Sequence, residues 1–176
     1  SARGRHAKTG EVELESVEIL DDAGNSTVRL GYKKPMTVSM RFTVIKPLDE
    51  VAVGVGVHTT DFLYLTTEHS EEQVRVRRLE PGTFVVECRI GTMPLLPGVY
   101  SLRVFMTAGA AVGTVFYGEN LLHFQVVSDP DNPIPVPVRQ GFFALEATWE
   151  MPAEENRNAV IERCNEGVDT TTALGR

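Results

Sequence analysis

Met36-Thr37-Val38-Ser39-Met40-Arg41-Phe42-Thr43-Val44 alternates apolar and polar residues without a break. Side chains of an extended strand point to opposite faces in turn, so Met36, Val38, Met40, Phe42 and Val44 face a core while Thr37, Ser39, Arg41 and Thr43 face away. The same alternation recurs at Val51, Val53, Val55 and Val57, at Phe84, Val86, Cys88 and Ile90, and at Tyr100, Leu102, Val104 and Met106. Leu122, Phe124 and Val126 repeat it, and Phe143, Leu145, Ala147 and Trp149 form a last instance. Fainter strand patterns run over Glu11 to Leu20, Thr27 to Leu30, Phe62 to Thr67 and Val112 to Tyr117. Turn-forming stretches lie between them: Asp21-Asp22-Ala23-Gly24-Asn25, Pro81-Gly82, Pro97-Gly98 and Gly118-Glu119-Asn120. About nine or ten short strands with no intervening helix predict an all-β fold, an antiparallel β-sandwich of immunoglobulin-like or jelly-roll type.

The chain has 176 residues, 42% hydrophobic and 23% charged, enough for one core. The sandwich is expected from residue 11 to residue 150, with residues 1–10 a linker remnant. Ser128 to Gln140 holds Pro130, Pro133, Pro135 and Pro137, which remove backbone donors and fix φ, so this segment reads as an extended connector to the last strand. Residues 151–176 read as a polar tail with a short helical candidate over Ala153 to Cys164. A start at Ser1 is compatible with processing or with a piece excised from something longer.

Charge and composition remove several classes of function. Seventeen Lys and Arg against 24 Asp and Glu give a net charge of −7 and a pI near 5.1, which disfavours nucleic acid as a partner. No apolar run reaches the roughly 18 to 20 residues of a membrane helix, and SARGRHAK has no signal-peptide core. Two cysteines, Cys88 and Cys164, make neither a metal-binding pair nor a disulfide framework. His6, His58, His69 and His123 are scattered, so no metal or other cofactor is implied, and no GxSxG or GxxxxGK[ST] motif is present. No catalytic residues are expected, and no ATP binding. Cys88 belongs to a core-facing set, and Glu13/Glu15, Glu71/Glu72 and Glu154/Glu155 read as solvated charge. Asp129-Pro130-Asp131-Asn132 reads as a turn rather than a Ca²⁺ loop.

A binding role fits the outward faces better. If Val51, Val53, Val55 and Val57 point inward, the opposite face of that strand carries Ala52, Gly54, Gly56 and His58, nearly bare backbone. Such a strip is either the floor of a shallow groove for an elongated ligand or a place where a loop or partner subunit packs closely. Matching faces carry Ser39, Arg41 and Thr43, Glu87 and Arg89, Ser101 and Arg103, and His123 and Gln125, with Tyr64 and Phe105 as outward aromatic rings. Planar donors and hydroxyls over an uncrowded floor suit polyhydroxylated ligands. The candidate ligand-binding residues are therefore Arg41, Ala52, Gly54, Gly56, His58, Arg103 and Gln125. The rival from another class is a structural or adhesin-type immunoglobulin-like module that binds only protein. A glycan-modifying enzyme would need a converging carboxylate pair that the sequence does not offer.

Arg5-His6-Ala7-Lys8-Thr9-Gly10-Glu11-Val12, then Val17-Glu18-Ile19-Leu20-Asp21 and Gly24, resembles the start of a known domain: the C-terminal carbohydrate-binding domain of the ATPase subunit (Wzt) of O-antigen polysaccharide ABC transporters. Leu95-Leu96-Pro97-Gly98-Val99-Tyr100-Ser101-Leu102, Leu121 to Val127, Gly141 to Leu145 and Trp149-Glu150 extend the resemblance in order and spacing. It implies a sandwich that is usually dimeric and fused after a nucleotide-binding domain. It places such a domain on the cytoplasmic side of the inner membrane, peripheral to it through the transporter. There it would recognise the finished O-antigen polysaccharide, often by its terminal modification, before export by the transmembrane subunit. The ATPase half is absent, residues 151–176 extend past the family pattern, and the family supplies no sugar-binding motif to place here. The strand Phe142 to Trp149 is the expected homodimer contact.

Overall fold

The strand that decides the fold forms as its alternation requires: β4 (Met36–Val44) buries Met36, Val38, Met40, Phe42 and Val44 to 2% exposure or less and leaves Arg41 in solvent. The computed structural model describes residues 6–74, 76–132, 134 and 141–145, all within the compact unit ending at Leu145. The other strands are β1 (His6–Lys8), β2 (Val12–Leu20), β3 (Arg29–Gly31), β5 (Leu48–Thr59), β6 (Tyr64–His69) and β7 (Val76–Leu79), followed by β8 (Gly82–Ile90), β9 (Gly98–Ala108) and β10 (Gly113–Val127).

β4 is the middle of a three-stranded antiparallel sheet in the order β2-β4-β8, with Met40 opposite both Val17 and Val86. The second sheet has seven strands in the order β1-β10-β9-β5-β6, with β3 added on β10 and β7 on β5. Among the described residues it includes one parallel pair, β3 with β10. The apolar rows of the two sheets form one core, where Phe42 of β4 meets Phe116 of β10 edge to face at 6.0 Å between centroids. Such an aromatic pair contributes about 0.5–1.5 kcal/mol beyond the area it buries.

Local chemistry explains the connections. In the β2–β3 turn, Asp21 Oδ1 accepts from the N–H groups of Ala23 and Asn25 at 3.0 and 2.8 Å, and Gly24 takes a φ of +81°. Before β9, the buried Tyr100 hydroxyl donates to the Leu96 carbonyl at 2.6 Å, which fixes how Leu95-Leu96-Pro97-Gly98 leads into the strand.

Four expectations change. Val112–Tyr117 and Leu122–Val126 are one strand, β10, and Gly118-Glu119-Asn120 is not a turn but part of a wide bulge. Gly118 faces Val104 and Leu122 faces Leu102, so Glu119, Asn120 and Leu121 stand opposite Arg103 alone. His6–Lys8, assigned to a linker, pairs with β10. β7, charged at Arg77 and Arg78, has no clear alternation and is an addition. Of the final strand read over Phe143 to Trp149, the described part shows a bridge between Leu95 and Phe143; residues 146–149, most of the proline connector and the tail lie outside the described residues.

Candidate functional site

The strip on β5 is not an open floor. Between Val51 and Thr59 every residue is buried, on both faces of the strand. Gly54 pairs with Phe105 of β9 and His69 of β6, and a Cβ at Gly54 would overlap the Phe105 ring. Gly56 pairs with Arg103 and Thr67, and a Cβ there would strike the Arg103 side chain and approach the Thr66 carbonyl to 3.0 Å. The groove is filled by side chains of the next strand, which lean across β5 because the glycines give them room. No partner subunit is needed to cover it.

What replaces the groove is a layer of rings and one cation. The Arg103 guanidinium carbon lies 4.3 Å from the centroid of the exposed Tyr64 ring and 5.9 Å from that of Phe105. Arg103 Nη2 donates to Thr67 Oγ1; its Nε is buried without an acceptor, and among the described residues no carboxylate pairs with it. Phe105 in turn stands 5.6 Å from the His69 ring. Beneath the outer edge, the hydroxyls of Tyr64 and Tyr117 both donate to Glu119 Oε1, and Glu119 is the buried acid among the described residues. The bond to Glu119, then that to Tyr117, pushes the Tyr64 hydroxyl well above the usual tyrosine range, because losing its proton would set an anion beside a carboxylate.

His58 lies on the expected face but is fully buried. Its ring stacks on Phe62 at 5.3 Å and meets Tyr64 edge-on at 6.0 Å. Nδ1 bonds the Thr59 carbonyl at 2.7 Å and Nε2 accepts from the Asn120 N–H at 3.4 Å, which places the ring proton on Nδ1. His58 therefore ties the β5–β6 hairpin to the bulge of β10. Asn120, at φ +56°, also accepts from Ser101 Oγ at 2.8 Å.

Arg41 and Gln125 do not join this group. Arg41 lies on β4 opposite Ser16 and Val85, on the outer face of the three-stranded sheet, together with Ser39, Thr43, Glu87 and Arg89. Gln125 is exposed on the same face as Arg103 but pairs with Val99, past His123 and toward Val28. Arg41 is set apart because β4 and β9 lie in different sheets, and Gln125 because it sits farther along the β9–β10 register, opposite Val99. Sequence reasoning missed Tyr117, Glu119, Thr67 and His69. The usable signal was the carboxylate two residues after Tyr117, at the break in the β10 alternation.

Asp129–Asn132 forms the expected turn. The Asp131 N–H donates to Asp129 Oδ1 at 2.8 Å, and Lys34 Nζ lies 2.8 Å from Asp131 and 3.8 Å from Asp129. That hydrogen bond lowers the Asp131 carboxyl and raises Lys34. A Cβ on Gly31 would overlap the Asp129 carboxylate, so the glycine lets the turn close against β3.

The family model described as the Wzt C-terminal domain matches residues 4–145. Among solved structures, the fold is similar to that in a crystal structure of the C-terminal domain of Wzt: 16% sequence identity, 86% of this chain and 90% of that chain covered, TM-score 0.72. A Niemann-Pick type C2 protein from Japanese carpenter ant aligns at 12% identity over 70% of this chain and 99% of that chain, with a TM-score of 0.44, too loose a likeness to bear on the argument. No curated protein matches the chain.

Proposed function

The chain belongs to the Wzt C-terminal domain family, and from that premise we propose that it is a non-catalytic module recognising a surface polysaccharide of the O-antigen class for an ABC exporter. The glycan lies on the outer face of the seven-stranded sheet, over Tyr64, Arg103 and Phe105. One observation carries this assignment: the Arg103 guanidinium lies against the Tyr64 ring and near that of Phe105, with no carboxylate of its own among the described residues. The exposed Tyr64 ring and the half-buried Phe105 ring offer apolar faces to the C–H surfaces of a sugar, and a fixed guanidinium offers hydrogen bonds to hydroxyls or an acidic group. Ala52, Gly54 and Gly56 act by being small, letting that layer lie down, and His58 holds it from below.

In this reading the module works as a homodimer, with Phe142 to Trp149 at the contact, beside the nucleotide-binding domain and the transmembrane subunit, on the cytoplasmic side of the inner membrane. It couples glycan binding to export and carries out no chemistry.

The test is calorimetric titration of the purified chain with a panel of bacterial surface polysaccharides. Binding to one of them, lost in Tyr64→Ala with an unchanged circular dichroism spectrum, is the expected result. A folded chain that binds none of them, or a Tyr64→Ala variant that binds as the parent does, overturns the assignment.

A further inference from the structure

Toward the start of β5 the covered face opens. Ala52 and Thr107, 6% and 8% exposed, pair across β5 and β9 and form the floor of a dent of about 300 Å³. Its rim carries Glu50, Glu71 and Val112, all exposed, and the described lining residues include no lysine or arginine. Both walls are fixed by hydrogen bonds. The Val53 N–H donates to Ser70 Oγ at 2.9 Å and holds the short 3₁₀ turn Ser70–Glu72 against the strand. The Gly109 N–H donates to the Asp49 carbonyl at 2.7 Å and holds the β9–β10 turn on the other side.

The dent is continuous with the ring layer, since His69 Nδ1 lies 3.9 Å from Glu71 Oε2 while the His69 ring meets Phe105. At about 3.3 Å per strand residue, Ala52 is about 13 Å from Gly56, over which Arg103 lies. The two places differ in chemistry: Arg103 only donates hydrogen bonds, whereas Glu50 and Glu71 accept them. Acceptors suit hydroxyls or an ammonium and repel a carboxylate or phosphate.

Resting on the glycan reading above, we propose that this dent is a second subsite, one that takes a neutral or amino sugar and refuses an acidic one. The polysaccharide is then read at two points, by opposite hydrogen-bonding partners, along a stretch longer than one sugar ring. That arrangement gives the bound glycan a direction along β5.

Fragments of increasing length, released from the surface polysaccharide of the cell that makes this chain, supply the test when titrated into the 176-residue chain. Affinity rises about tenfold or more once fragments reach from Arg103 to Ala52. The double variant Glu50→Lys with Glu71→Lys, which changes only exposed positions, erases that rise and leaves the shortest binding fragment unaffected. Arg103→Ala weakens every length. A rise that survives the charge reversal overturns the subsite while leaving the glycan reading intact. A parent chain that binds neither fragments nor intact polysaccharide overturns the glycan reading and the subsite with it.

Discussion

β4 and β5 look alike in sequence and behave differently in the fold. Both alternate strictly, and both bury their apolar row in the shared core. On β4 the other row is half-buried hydroxyls and the exposed Arg41, with Thr43 donating to Glu15; on β5 it is Ala52, Gly54, Gly56 and His58, which neighbouring side chains and a hairpin cover. A polar second row marks an ordinary solvated face. A row of small residues marks a face that something else occupies, and here the occupant comes from the same chain.

The largest expected effect tests what the two strands share. Phe42→Ala removes the ring that meets Phe116 between the sheets and is expected to cost about 3–5 kcal/mol in urea denaturation. A loss below about 1 kcal/mol means the sheets are not joined there.

Outer-face substitutions separate the strands. Gly54→Leu must displace the Phe105 ring and is expected to destabilise by about 1–3 kcal/mol, an overpacking penalty. Ser39→Val, at a half-exposed position of β4, stays within about 0.5 kcal/mol of the parent. Equal costs for the two erase the contrast.

Binding sharpens it further. A hydrogen bond to a charged group contributes roughly 1.5–3 kcal/mol, so Arg103→Ala should weaken polysaccharide binding about ten- to a hundredfold, whereas Arg41→Ala on the other sheet changes nothing. A loss with Arg41→Ala moves the glycan to the three-stranded sheet.

The smallest effect concerns pH. The folded chain holds the Tyr64 proton above the range where an unfolded tyrosine, near 10.0, gives it up. Its contribution to stability is therefore complete below that range and falls as pH rises through it toward the higher folded value. Absorbance titration should show Tyr64 and the buried Tyr100 ionising late, and Tyr64→Phe should remove one of these two late steps and flatten the alkaline fall in Tm. A Tyr64→Phe titration that keeps both late tyrosines assigns the shift to another residue.

Much of the fold was legible because alternation is local: Met36–Val44 needs only its own nine residues. The strip and Arg103 were legible for the same reason. Glu119 was not, because Gly, Glu and Asn have the same composition whether they reverse a chain or bulge a strand. Arg41 and Gln125 were not separated from Arg103 because sheet membership, for Arg41, and register along β9, for Gln125, depend on pairings between distant residues, and β7 was missed because four residues with two arginines carry no period.

The pairing of β1 with β10 also sets an order in time. The Thr9 hydroxyl, just after β1, donates to the Val115 carbonyl at the start of β10, across 106 residues of chain. At about 5–20 residues per second, a ribosome releases β1 on the order of ten seconds before its partner strand exists. Contacts so far apart are late and slow to close. The β1 edge of the larger sheet thus stays unpaired from its own release until β10 follows it out of the ribosome.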